Sequence, residues 1–133
     1  MFSKSSPIHP NLTPLSESFN DHELATLSRL STVINVPAGS VLAREGAVGA
    51  EAVVVISGEA RVERDGEVIA TVGASSILGE GALLTGEARS ASLVAETDLT
   101  VSVLSRREFN SWLAACPRVD AEVKELAQQR SAA

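Results

Sequence analysis

Arg89 is the single basic residue between Asp65 and Ser105, a stretch that otherwise carries Asp65, Glu67, Glu80, Glu87, Glu96 and Asp98. Just upstream runs Ile77-Leu78-Gly79-Glu80-Gly81-Ala82-Leu83-Leu84. Ala82-Leu83-Leu84 has room for only a turn or two of helix between glycines. Gly79 and Gly81 let backbone approach a ligand closely and leave amides exposed at that helix's start. Those amides and the local dipole favour an anion, the dipole by about 0.3–1 kcal/mol. An arginine beside such a start suits a bidentate phosphate contact. Glu80 is unwelcome next to a phosphate but is a good acceptor for a pair of sugar hydroxyls. The combination asks for a phosphorylated sugar or a nucleotide. A plainer reading uses the same residues: Arg89 and Glu80 pair with each other, or with solvent, on the surface. The residues alone leave both readings open.

Composition narrows the field. The chain has 133 residues, 44% hydrophobic and 21% charged, which is one domain with a packed core. Aromatic residues are only 3%, from three Phe and one Trp with no Tyr, so the core must be aliphatic and base-stacking platforms are scarce. Eleven Lys plus Arg face 17 Asp plus Glu, a net charge of −6 that argues against a nucleic-acid partner. The lone cysteine, Cys116, allows no intrachain disulfide and reads as a small buried hydrophobe in a reducing cytosol. His9 and His22 have no metal-ligand spacing, so no metal site is expected. No apolar run exceeds the five residues of Ala52–Ile56, so no membrane span is expected. Residues 1–18 read as a polar tail: Pro7, Pro10 and Pro14 fall there without the apolar segment of a secretory signal. These features together imply a soluble, cytoplasmic protein.

The elements that must position Glu80 and Arg89 are mostly strands. Asn20-Asp21-His22-Glu23 has the form of a capping box, and Leu24, Leu27 and Leu30 follow at helical spacing, predicting a helix over Asp21 to Leu30. From Thr32 to Ser105, short β-branched runs alternate with turn residues every eight to twelve residues or so, as in a sandwich or barrel. The expected strands are Val33–Val36, Ser40–Ala43, Ala52–Ser57, Ala60–Arg64, Glu67–Val72, Ser90–Ala95 and Leu99–Leu104. Asp65-Gly66 predicts a tight hairpin, because both positions accept positive φ. Helical spacing resumes after Ser105, with Phe109, Trp112, Leu113 and Cys116 on one face. Pro117 breaks that run and opens a last helix with Val119, Val123 and Leu126 as its apolar stripe, ending near Arg130.

Leu78-Gly79-Glu80-Gly81-Ala82-Leu83-Leu84 followed by Ala88-Arg89-Ser90-Ala91-Ser92-Leu93 resembles the phosphate-binding cassette of cyclic nucleotide-binding domains. That pattern reads roughly F-G-E-L-A-L-hydrophobic, three residues, then P-R-x-A-S/T-V, and the Glu-to-Arg separation here is the same. Pro37-Ala38-Gly39, Gly46, Val55-Ile56-Ser57-Gly58 and Leu104-Ser105-Arg106-Arg107-Glu108-Phe109 are also similar to the family. The likeness runs from about Phe19 to Arg130, within a domain placed at 19–133.

The resemblance implies a mainly β fold, an eight-stranded antiparallel β-roll with a short cassette helix and C-terminal lid helices. It implies that Arg89 binds the cyclic phosphate and that Glu80 accepts from the ribose 2′-hydroxyl. Amides near Gly79, Gly81 and Ala82 would complete the cradle, and Ser90 could add a hydroxyl contact. The expected ligand is cAMP, with cGMP the other candidate, and no cofactor. Ligand in the cassette would draw the short helix inward, and the C-terminal helices would follow as a lid. Three departures stand out: Gly81 replaces the usual Leu, Ala88 replaces the usual Pro, and no aromatic follows Trp112 to cap the base.

The expected role is a sensor module with no effector domain of its own, not an enzyme, acting on a protein partner in trans. Its last helix is short for a dimer seam, about 20 Å for thirteen residues, so a monomer or weak homodimer is expected. Two other classes compete. One is a degenerate β-roll that serves protein interaction and no longer binds nucleotide. The other is a metal enzyme of the cupin type, which would need clustered His and carboxylate ligands that the strands lack.

Overall fold

Valine-rich runs separated by turn residues suit a pleated, half-buried surface. In the computed structural model, which describes residues 19–49, 51–79 and 88–132, they form eight strands. These are β1 (Thr32–Val36), β2 (Val41–Ala43), β3 (Glu51–Ser57), β4 (Ala60–Arg64), β5 (Glu67–Val72), β6 (Ile77–Leu78), β7 (Ser92–Ala95) and β8 (Leu99–Ser105). Helix α1 (Asp21–Leu30) precedes them, and α2 (Arg106–Ala115) and α3 (Pro117–Ala132) follow. The strands pair antiparallel in two four-stranded sheets, ordered β1-β8-β3-β6 and β2-β7-β4-β5. This is a mainly β, eight-stranded antiparallel β-roll with flanking helices, as the resemblance implied. The short cassette helix expected at 82–84 and the tail expected at 1–18 lie outside the described residues.

The continuous apolar run in β3 follows from its position, because both of its faces are covered. Val53 and Val55 point between the sheets, where they meet Val36, Val62, Val72, Leu93, Leu99 and Val101. Ala52 and Val54 point the other way, into a cluster with Ile77, Leu104, Phe109, Trp112, Val119 and Val123 under the helices. The inter-sheet core is wholly aliphatic. The described aromatic residues, Phe19, Phe109 and Trp112, are gathered in the helical layer, with Phe19 edge-on to Trp112 at 5.3 Å between centroids.

Local signals set the boundaries. Asn20 caps α1 by accepting from the Glu23 amide, while the Glu23 side chain accepts from the Asn20 amide. Ser105 and Glu108 repeat this box at the start of α2. Asp65 and Gly66 turn the β4–β5 hairpin with φ of 54° and 80°. Two expectations change. The buried face of α1 is Glu23, Thr26 and Leu27, whereas Leu24 is exposed, because the helix rests on Trp112 rather than on a leucine stripe. The strand expected to begin at Ser90 begins at Ser92, because the chain just before it pairs with a loop instead of a strand.

Candidate functional site

That loop, residues 44–49, links β2 to β3 and sets the position of Arg89. Val48 and Ala88 form an antiparallel bridge. The Arg89 amide donates to the Ala47 carbonyl at 2.9 Å, and the Gly46 amide donates to the Arg89 carbonyl at 2.8 Å. The loop is braced in turn. Glu45 accepts from the Asp65 amide through its carboxylate, and its own amide donates to Ser92 Oγ. Arg64 Nε donates to the Ser90 carbonyl at 3.0 Å, so the hairpin tip and the Arg89 segment are held together.

The guanidinium of Arg89 packs against two glycines. A Cβ on Gly49 would stand 2.7 Å from Cζ and 2.8 Å from Nε, and a Cβ on Gly79 would collide with Nη1. Gly79 also has φ of +80°, a left-handed conformation that a side chain would strain. Nη2 donates to the Glu51 carbonyl at 2.8 Å. Arg89 thus has a backbone acceptor and close packing, but forms no ion pair with any described residue. Arg61 is the contrast: Glu63 and Glu96 both bind it and raise its pKa above the usual arginine value. A partly buried guanidinium of this kind has donors suited to a bidentate anion contact.

Of the residues singled out in the sequence, the structure brings Gly79 and Arg89 into contact. Ser90 is exposed beside them. Glu80, Gly81 and Ala82 lie outside the described residues. Gly49 and the Glu51 carbonyl, which also hold Arg89, were not among the residues singled out. Gly49 could have been noticed as the second glycine of Glu45-Gly46-Ala47-Val48-Gly49, but a backbone acceptor carries no residue signature. Among the described residues no group of His, Cys, Asp and Glu could hold a metal ion, and no helix is long and apolar enough to cross a membrane.

The helical layer meets the site through β6. Ile77, two residues before Gly79, shares its buried cluster with Trp112, Val119 and Leu126. The same layer contains a buried carboxylate. Burial pushes the Glu23 pKa up, but hydrogen bonds from Arg118 and the Asn20 amide, with the charges of Arg118 and His22, outweigh it and leave the value lowered. Cys116, buried nearby, has its pKa raised, first by burial and then by the Glu23 charge.

The two four-stranded sheets set Arg89 against Gly49 and Gly79, and the helical layer packs behind β6. The cyclic nucleotide-binding domain model matches residues 33–116, and the chain belongs to that family. It is 36% identical over 102 residues to a cAMP-dependent protein kinase regulatory subunit of Aspergillus fumigatus, covering 75% of this chain and 25% of that protein. It is 27% identical over 117 residues to a cyclic nucleotide-gated potassium channel of Rhizobium etli, covering 88% of this chain and 33% of the channel. Among solved structures, the Thermus thermophilus catabolite activator protein superposes with a TM-score of 0.74 at 26% identity, covering 89% of this chain and 58% of that one. The chain therefore spans a quarter to a third of the length of these curated relatives.

Proposed function

We propose that this domain binds a cyclic nucleotide, cAMP in preference to cGMP, and passes its occupancy to an effector protein in trans through the helical layer. The observation that carries this reading is Arg89, held by Gly49, Gly79 and the Glu51 carbonyl with no carboxylate among the described residues to neutralise it. In this reading Arg89 grips the cyclic phosphate with its remaining donors, and amides from Gly79 through Ala82 close the cradle. Glu80 accepts from the ribose 2′-hydroxyl, and Ser90 adds a hydroxyl. The role is binding, not catalysis.

The mechanism follows from packing. Ligand contacts that pull on the segment after Gly79 also load Ile77, and Ile77 shares a close-packed cluster with α2 and α3. The helices respond only if the nucleotide binds one of their arrangements better than the other. The relatives point the same way: one is a cAMP-dependent kinase regulatory subunit and another a cyclic nucleotide-gated channel.

Calorimetric titration with cAMP and cGMP side by side tests the proposal. Binding is expected, with Arg89→Ala weakening it at least about tenfold, since charge-assisted bonds contribute about 1.5–3 kcal/mol. Equal affinity in parent and variant would remove Arg89 from this role. No heat with any nucleotide would favour the interaction module.

A further inference from the structure

Four strands bound the two sheets among the described residues: β1 and β6 in one, β2 and β5 in the other. An open strand edge is a template for pairing with another chain, and proteins blunt such edges with short strands, bulges or charges. β6 has two residues. β2 has three, with a register shift between Val41 and Ala43. β5 begins with Glu67 and pairs across a shift at Val62/Glu63. β1 has none of these devices. Its five residues are uncharged and free of Pro and Gly, and they pair with β8 in unbroken register from Thr32↔Val103 to Val36↔Leu99. Thr32 to Asn35 are exposed, with Val33 at 48% and Ile34 at 40%. Neighbouring strand residues point to opposite faces, so apolar surface lies open on both faces of this ribbon.

The two ends of the edge differ in charge. At the Thr32 end stand Arg29, in the last turn of α1, and Arg106, which follows β8; both are exposed. At the Val36 end the edge runs into a groove of about 520 Å³ lined by Asn35, Pro37, Ser57, Asp98 and Thr100. Asp98 is exposed there, with Oδ1 accepting from the Ala38 amide at 3.0 Å, and no basic residue lines the groove.

We propose that a second copy of this chain pairs with β1 in antiparallel fashion, about a two-fold axis at Ile34. Each Thr32 then opposes Val36 of the other copy, which brings the basic end of one copy to the acidic groove of the other. Two strand spacings, about 10 Å, separate the partner's β1 from β8, a distance that an arginine beyond Thr32 can cover toward Asp98. Parallel pairing would instead set like charges together. A five-residue ribbon falls well short of the roughly 800 Å² per partner of a stable interface, so the dimer is weak and depends on concentration. This pairing does not depend on the nucleotide reading.

The test is sedimentation velocity of the full chain from about 10 µM to 1 mM, with amide spectra across the same range. The mean mass rises with concentration, and shift changes gather at residues 32–37 and 98–100. Ile34→Lys sets two lysines face to face and weakens association at least about tenfold. Arg29→Glu also weakens it, and adding Asp98→Arg in the same chain restores it. The mass of one chain throughout, shift changes confined to α3, or unaltered association of Ile34→Lys would each overturn the proposal. So would protected outward amides of β1 in dilute protein, which would mean that residues 1–18 cover the edge instead.

Discussion

Arg118 reaches back across the helical layer to Glu23, with Nε 3.0 Å from Oε2 and Nη2 2.5 Å from Oε1. Glu23 is 3% exposed, and its carboxylate also caps α1 while its carbonyl accepts from Trp112 Nε1 at 3.1 Å. One residue therefore ties together the start of α1, the middle of α2 and the start of α3. A carboxylate this buried is tolerated only because its oxygens are matched. Arg118→Ala is expected to cost about 2–3 kcal/mol in urea unfolding, less than a fully buried pair because Arg118 retains some exposure. A loss below about 0.5 kcal/mol would show that the pair is energetically a surface pair.

The same pair sets an acid limit. The folded pKa of Glu23 is lowered, so its contribution is complete above the unfolded glutamate value of about 4.3 and is lost as pH falls through the folded value. Glu23→Gln should be less stable than the parent at neutral pH by about 1–3 kcal/mol. That gap should narrow as pH drops below about 4. Denaturant midpoints of both proteins across acid pH check this, and a constant gap refutes the assignment.

At Arg89, substitution of Gly49 should separate stability from binding. Gly49→Ala would place its Cβ 2.7–2.9 Å from the end of the Arg89 side chain, which is flexible and can yield. The fold should lose less than about 1 kcal/mol. Affinity for cAMP should fall roughly tenfold, because the guanidinium is displaced from its seat. Thermal melting and calorimetry on the same sample compare the two. Unchanged affinity would mean that packing against Gly49 does not position Arg89.

Gly58 gives the opposite expectation. Its φ is +92°, and a Cβ there would run into the Asp98 carbonyl and stand 2.9 Å from a Leu99 methyl. Backbone cannot swing away as a side-chain tip does. Gly58→Ala should cost about 2 kcal/mol or more, seen as a lowered melting temperature.

Cys116 should behave as an inert thiol. Burial and the nearby Glu23 charge raise its pKa, and the thiolate is the reactive form. A thiol reagent should label the folded protein far more slowly than the denatured one. Equal rates would indicate that the α2–α3 corner opens readily.

Features that depend on near neighbours in sequence were legible there. The Asn20–Glu23 cap, the Asp65-Gly66 turn and the helix opened by Pro117 each involve residues at most three apart, and each stands as expected. The alternation of valines with turns was enough for a sandwich or barrel, and the resemblance to the family narrowed it to a two-sheet roll. Glu23 shows the boundary. Its local capping role could be read, but its partner Arg118 is 95 positions away and only the fold unites them. The leucine spacing of α1 misled for a related reason: the helix meets an indole from α2, so Leu24 faces outward. At the site, Arg89 stood out by charge, but the carbonyl and bare glycine that hold it had no side chain to announce them.

Trp112 is the sole tryptophan in a chain without tyrosine, and it is fully buried where the three helices converge. Its light emission therefore comes from a single address and needs no attached dye. That address lies in the helical layer, apart from Arg89. Mixing experiments on the unmodified protein can time the helical layer separately from ligand arrival. A fluorescence rate that levels off as ligand is raised would mean that the helices reset on their own clock; a rate that keeps climbing would mean that they move as the ligand lands.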